Sequence, residues 1–172
     1  MMLSESARMS SAAEARFRVQ APNSIPRAIK VIALDAAGEA VVRRLAGAVW
    51  NHATFFTAAS RVEPGGGNLP PAPADEALTD LAGRSRSVTD EVDTADLVVL
   101  VAGPGGHAQA ASLIGRACSL RRVTTTGFVV GAASASQNAL SKTLAQVRPW
   151  SLMVVIAHSD DYVEDMMTAL RA

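Results

Sequence analysis

Gly103, Gly105, Gly106 and His107 follow directly on the apolar run Leu97-Val-Val-Leu-Val-Ala102 and precede an alanine-rich segment. Bare glycines let a backbone turn tightly and come close to a ligand. A helix starting just beyond them offers free N–H groups and the positive end of its dipole to an anion, so a phosphate suits such a corner. His107 stands in the first turn after the glycines, where a helix N-terminus favours a neutral imidazole able to make one hydrogen bond; its other reading is a polar loop residue. Asp35 and Gly38 hold the matching place after the earlier apolar run Ile29–Leu34, and His158 closes a later one. Asp160 or Asp161 could orient His158 or instead cap the following helix. The candidate ligand-binding set is therefore Asp35, Gly38, Gly103, Gly105, Gly106, His107 and His158. No serine, lysine or third histidine is spaced to complete a catalytic constellation, so no catalytic residue is assigned. Three scattered histidines and a single cysteine, Cys118, make a metal site unexpected.

These residues need strands and helices to position them. Ile29–Leu34, Thr54–Ala59, Leu97–Ala102, Val123–Val130 and Leu152–Ala157 read as strands, separated by apolar residues at helical spacing over Glu39–Trp50, Ala108–Leu120, Ser136–Val147 and Asp160–Leu170. Asp35 sits where an N-cap belongs, and Ser159 or Asp160 caps the last helix. Asp75–Ala82 is a candidate short helix before a polar stretch. Arg61–Ala74, with Gly65-Gly66-Gly67 and four prolines, sustains neither helix nor central strand. Continuous Val/Leu/Ile strands alternating with helices imply a parallel sheet covered on both faces: a three-layer, Rossmann-like α/β fold with a mainly parallel sheet. Its ligand edge is the carboxyl ends of the strands, where Asp35–Gly38 and Gly103–His107 are expected to approach one another. Residues 1–26 read as a mobile tail, with an optional short helix near Ser11–Val19, and residues 27–172 as one domain.

Gly103-Pro-Gly-Gly-His-Ala108 also fits the dinucleotide pattern G-x-G-x-x-[G/A]. That pattern needs an acidic residue about 20 positions on to hold the ribose hydroxyls, and Leu97–Ser159 contains neither Asp nor Glu. NAD is disfavoured. A phosphorylated ligand such as NADP stays open, because Arg116, Arg121, Arg122, Lys142 and Arg148 all fall in that span and an arginine can take an extra phosphate. Sixteen basic and sixteen acidic residues balance overall, so the rest of the chain carries five net negative charges (0 − 5). The asymmetry either focuses an anion or reflects how few charged positions a buried sheet and alanine-rich helices offer.

The zero net charge gives no global signal for nucleic acid or an anionic membrane. Hydrophobic residues make up 49% of the 172, enough for a sizeable core, yet no apolar run reaches membrane-spanning length. The N-terminus lacks the apolar centre of a secretion signal, and a lone cysteine in an apolar helix reads as a buried structural thiol. The expected location is the cytoplasm.

The run Ile29-Lys-Val-Ile-Ala-Leu-Asp-Ala-Ala-Gly-Glu-Ala-Val-Val-Arg-Arg-Leu45 resembles the opening strand, phosphate loop and helix of the FtsZ/tubulin family, in which a glycine series fills the place of Asp35–Glu39. Ala95–Gly106 is similar to that family's strand before its GGGTGTG loop. Val123–Val130 resembles the next strand, and Leu144–Asp161 the helix and strand ending at the guanine-contacting loop. The similarity runs from about Ala28 to Leu170 through loose hydrophobic frames. It implies a divergent, truncated GTPase-domain relative whose nucleotide loops are degenerate. Asp35 and Glu39 set negative side chains at the expected phosphate mouth, and His107-Ala-Gln-Ala110 stands where the family has Thr-Gly-Thr-Gly. On this resemblance the family's second domain, which supplies acidic residues for hydrolysis, is expected to be missing, and with it independent GTP hydrolysis.

The resulting expectation is a non-hydrolysing binding or assembly module that works through protein–protein contacts with itself or another protein. No cofactor is assigned, and nucleotide binding is expected to be weak. The runner-up is an enzyme or enzyme subunit that binds a phosphorylated nucleotide, cofactor or substrate at Gly103–His107. Trp50 and Trp150 adjoin element boundaries and read as core or contact anchors. Val163, Met166, Met167 and Leu170 form an apolar stripe on the last helix that either packs on the sheet or offers a partner surface.

Overall fold

Strand β1 (Ile29–Ala33) is almost wholly buried, and β5 (Leu97–Ala102) entirely so, which is what β-branched and leucine runs require when helices cover both faces of a sheet. The computed structural model describes residues 26–58, 78–158 and 161–172. Around the central pair lie β2 (Ala53–Ala58), β6 (Thr124–Val129) and β7 (Met153–Ile156), all parallel, so that the five run β2-β1-β5-β6-β7. Register is direct: Ile29 pairs with both Ala53 and Leu97. The short strands β3 (Leu78–Asp80) and β4 (Ser85–Arg86) add an antiparallel hairpin beyond β2, completing seven strands.

Among the described residues, five α-helices cover this sheet: α1 (Ala36–Leu45), α2 (Val88–Asp93), α3 (Ala110–Arg121), α4 (Gln137–Val147) and α5 (Asp161–Ala169). On one face, Val41, Val42 and Leu45 of α1 and Val163 and Met167 of α5 pack on Val31, Val99, Val101 and Phe128. On the other, Val88 and Val92 of α2, Ala111, Ile114 and Cys118 of α3 and Val147 of α4 pack on Ile32, Val98 and Leu100. The expected three-layer, Rossmann-like α/β fold is what forms. α5 buries its apolar stripe on its own sheet, with Val163 and Met167 fully covered and Met166 and Leu170 packed against the same cluster. The stripe is core, so of the two expected uses only packing on the sheet is realised.

Three local expectations need correction. α1 begins at Ala36, because Asp35 caps it, and stops at Leu45 rather than reaching Trp50. The indole Nε1 of Trp50 donates to the Leu45 carbonyl at 2.7 Å, occupying an acceptor that a longer helix would have used internally. Asp75–Ala82 is not a helix where it is described: Leu78–Asp80 is strand, because Asp80 accepts from the Ala82 and Arg84 amides and Gly83 turns at φ +83, tying off a hairpin. The polar stretch that follows holds α2, capped by Ser87, whose side chain accepts from Asp90 N. The pattern Ser87-Val-Thr-Asp90 carried that signal. The residue 1–25 tail, the Arg61–Ala74 loop and the Ser159 or Asp160 cap lie outside the described residues. Among those described, no helix is long and apolar enough to cross a membrane.

Candidate functional site

Chain direction fixes where a ligand crevice should open. From β1 the chain passes through α1 to β2 on one side, whereas from β5 it passes through α3 to β6 on the other. The connections diverge at the carboxyl ends of β1 and β5, the switch point where open α/β sheets bind ligands. Asp35 and Gly103 stand there. The expectation that the two segments meet holds in atomic detail.

The carboxylate of Asp35 occupies that corner. Its Oδ1 accepts from Gly38 N at 2.8 Å, the ordinary N-cap bond of α1. Gly103 N, at the end of β5, donates to Oδ1 at 3.1 Å and Oδ2 at 2.9 Å. The glycines are set by this group and by close helix–strand packing. A methyl on Gly106 would overlap Oδ2 of Asp35, one on Gly38 would overlap the Val101 carbonyl, and one on Gly103 would collide with Ala37. Gly105 alone of the three loop glycines needs its freedom for conformation, at φ +78. The glycine turn is therefore built around a side chain of the same protein.

Further loop amides are also occupied. Gly105 N donates to the Ala139 carbonyl at 3.0 Å and to Thr143 Oγ1 at 2.9 Å, while Thr143 Oγ1 donates back to the Gly103 carbonyl at 2.9 Å. Ala108 N, just before α3, donates to Gln146 Oε1 at 2.7 Å. Thr143, fully buried in the middle of α4, thus acts as both donor and acceptor for the turn. Neither Thr143 nor Gln146 was among the expected site residues. The available signal was a threonine four residues before Val147, on the helical face that is buried.

The two histidines do not join the corner. His107 is exposed beside it. His158 lies beyond β7, two strand spacings or about 10 Å from β5, in a hollow of about 330 Å³ with Val155, Ile156 and Tyr162. Its proposed pairing with Asp160 or Asp161 involves side chains outside the described residues. On the β1 side, a depression of about 310 Å³ is lined by Ala33, Asp35, Ala36, Glu39, Thr57, Ala58 and Thr79. Glu39 there pairs with Arg43 at 2.7 Å. Carboxylates at this mouth repel an anion.

The five basic residues of the acid-free span, Arg116, Arg121, Arg122, Lys142 and Arg148, are all exposed. Arg121 pairs with Asp93, linking α3 to α2. None of the five lines the Asp35 depression. The charge asymmetry thus has no focus at the corner. Burial pushes the Cys118 thiol above its ordinary pKa, more than its bond to Thr125 lowers it, which suits a structural thiol and not a nucleophile. Among the described residues, no group of three His, Cys, Asp or Glu side chains could hold a metal ion. No protein-family model matches this chain, and neither does any curated protein.

Proposed function

We propose that this chain is a non-hydrolysing binding or assembly module of FtsZ/tubulin-like type, acting through protein–protein contacts. One observation carries the reading: the Asp35 carboxylate accepts from Gly38 N and Gly103 N at the switch point, where a ligand phosphate would otherwise take those amides. A phosphate entering the corner would have to expel a carboxylate that serves as a helix cap, and would do so beside Glu39. Each step is unfavourable. The loop amides of Gly105 and Ala108 are likewise committed to α4, which leaves the turn with fewer donors to offer.

The test is calorimetric titration of the full chain with GTP and with GDP in the presence of magnesium, together with a phosphate-release assay. The expected result is no hydrolysis and no binding tighter than millimolar, about −4 kcal/mol. Micromolar binding, about −8 kcal/mol, would overturn the reading, because it would require the corner to open at little cost.

A further inference from the structure

The charge of the acid-free span gathers on the face of the sheet that α3 and α4 cover. Ser112, Arg116 and Ser119 stand in one row on α3, at i, i+4 and i+7. Ser112 and Gln109 line an upper hollow of about 420 Å³, shared with Ala145 and Gln146 of α4 and with Trp150. Ser119 lines a lower one of about 390 Å³, shared with Arg122, Thr124, Trp150 and Leu152. Trp150 belongs to both. A Cβ on Gly115, midway along α3, would overlap its side chain, so the indole lies against that helix with a hollow toward either end. Together the hollows form one groove, about 20 Å long from Gln109 to Arg122 at roughly 1.5 Å per helical residue.

The rim of this groove is cationic. Arg116 lies between Ser112 and Ser119, Lys142 stands one helical turn before Ala145 and Gln146, and Arg122 lines the lower hollow itself. All three are exposed, and none has an ion pair among the described residues. Because Leu97–Ser159 contains neither Asp nor Glu, neither helix carries a carboxylate to neutralise them. Arg121, which does pair with Asp93, points to the α2 side instead.

We infer that this groove binds an extended acidic segment of a partner protein, with carboxylates on Arg116, Arg122 and Lys142 and one apolar side chain seated against Trp150 and Leu152. The inference names the partner chemistry of the assembly-module reading and rests on it. Leu152 is 84% exposed at the lower end, where such a side chain would cover it. Tryptophan and arginine are the residue types that most often anchor protein interfaces, and the surrounding charge selects the partner. Spacing favours a peptide over a nucleic acid. A peptide strand rises roughly 3.3 Å per residue, so about six residues fill the groove, enough for two or three carboxylates and an anchor. A nucleic-acid strand carries a phosphate every 3.4 Å or so, about six over the same length against three cations. It would also want a series of aromatic platforms, and the groove has a single indole.

The experiment is selection of random dodecapeptides displayed on phage against the full chain, followed by fluorescence anisotropy on the enriched peptides. Enriched sequences should place aspartate or glutamate on both sides of one leucine, methionine or aromatic residue. Arg116→Glu and Lys142→Glu, both at exposed positions, should each weaken binding about tenfold, and added salt should weaken it further. Arg116→Lys keeps the charge and should bind like wild type. On binding, the indole N–H resonance of Trp150 should shift, whereas that of Trp50, which packs on the opposite face and donates to the Leu45 carbonyl, should stay in place. Enrichment of peptides without acidic residues, or of none, would overturn the inference, as would binding indifferent to Arg116→Glu or a shift at Trp50 alone. A single-stranded oligothymidylate bound more tightly than the best peptide would make nucleic acid the occupant, and wild-type self-association abolished by Arg116→Glu would make it a second copy; either overturns the inference. A failed selection leaves the nucleotide titration as it is, and micromolar GTP binding leaves the selected peptides as they are, so the two readings fail separately.

Discussion

Two regions of this sheet treat their backbone groups in opposite ways. At the β1/β5 corner the amides of Gly38, Gly103, Gly105 and Ala108 all reach acceptors within the protein, from Asp35, Ala139, Thr143 and Gln146. Along the outer side of β7 the described residues give the backbone no partner, and the flanking side chains are apolar. The first region has the outline of a binding site, yet the amides of its glycine turn are largely taken. The second has no motif and a row of them. Glycine content and position in the fold are therefore poor guides to binding capacity here; the accounting of donors and acceptors is the better one.

The comparison can be broken most severely at Gly38. A Cβ there overlaps a backbone carbonyl, that of Val101, which cannot swing aside. Gly38→Ala should cost about 3 kcal/mol of stability through overpacking, read as a lower urea midpoint with unchanged slope. A loss below 1 kcal/mol would show that α1 can slide on β5, and that the corner is less tightly built than its contacts imply.

Asp35→Ala is next. It removes a helix cap and strands Gly103 N, for an expected loss of about 2 kcal/mol. It also sharpens the contrast, because the vacated corner then presents two free amides to solvent. Weak binding of inorganic phosphate, followed by chemical shifts at Gly38 and Gly103, should appear in this variant and be absent from wild type. Phosphate shifts of equal size in both would show that the carboxylate does not plug the corner.

Thr143→Val keeps the shape and removes both hydrogen bonds to the turn. About 1 to 2 kcal/mol should be lost by the same unfolding measurement, since the Gly103 carbonyl keeps just the long 3.4 Å bond from Gly106 N while Gly105 N retains Ala139. At the open edge, by contrast, Leu152→Lys should change monomer stability by less than about 0.5 kcal/mol. A large loss there would mean that Leu152 is packed and the edge is not free.

The smallest effects lie in pH dependence. Arg84 holds the Asp80 carboxyl below its ordinary pKa, first through its backbone N–H, with its guanidinium and the Ala82 amide adding to the shift against opposing desolvation. A depressed carboxyl stabilises the fold above the ordinary carboxylate range, and the contribution fades as pH falls through the lowered value. Asp80→Asn should flatten the acid limb of the stability curve slightly. Cys118 acts at the other end: its raised pKa means that the unfolded chain loses the thiol proton first, so stability falls as pH rises above about 9. Cys118→Ala should flatten that limb, and a thiol reagent should modify Cys118 only on unfolding.

Much of this was legible in the chain. Five of the seven strands announced themselves because buried parallel strands are continuous apolar runs, and α3 to α5 because their apolar residues recur at helical spacing. The β3–β4 hairpin was missed because it is held by the Asp80 carboxylate and the Gly83 turn, features with no hydrophobic period. Asp35, Gly38, Gly103 and Gly106 were correctly grouped, since chain order and the switch-point rule bring two loops together. His107 and His158 were not brought to the corner, since loop position alone does not aim a side chain. Thr143 and Gln146 come from a helix remote in sequence from the turn, and no local pattern could place them against it.

The sequence by itself determined which segments are strands, that the sheet is mainly parallel, and that acidic side chains stand at the expected phosphate mouth. Periodicity and composition are local properties, and they survive in one dimension. Only the tertiary structure decided that Asp35 fills the glycine turn, that α4 takes the Gly105 and Ala108 amides, that α5 packs on the sheet, and that β7 has β6 as its one strand partner among the described residues. Those outcomes depend on distances between atoms up to about 70 residues apart in the chain, such as Asp35 and Gly103 at |i−j| = 68. A hydrogen bond is won or lost over less than an ångström, and only the folded arrangement of strands and helices sets distances that finely.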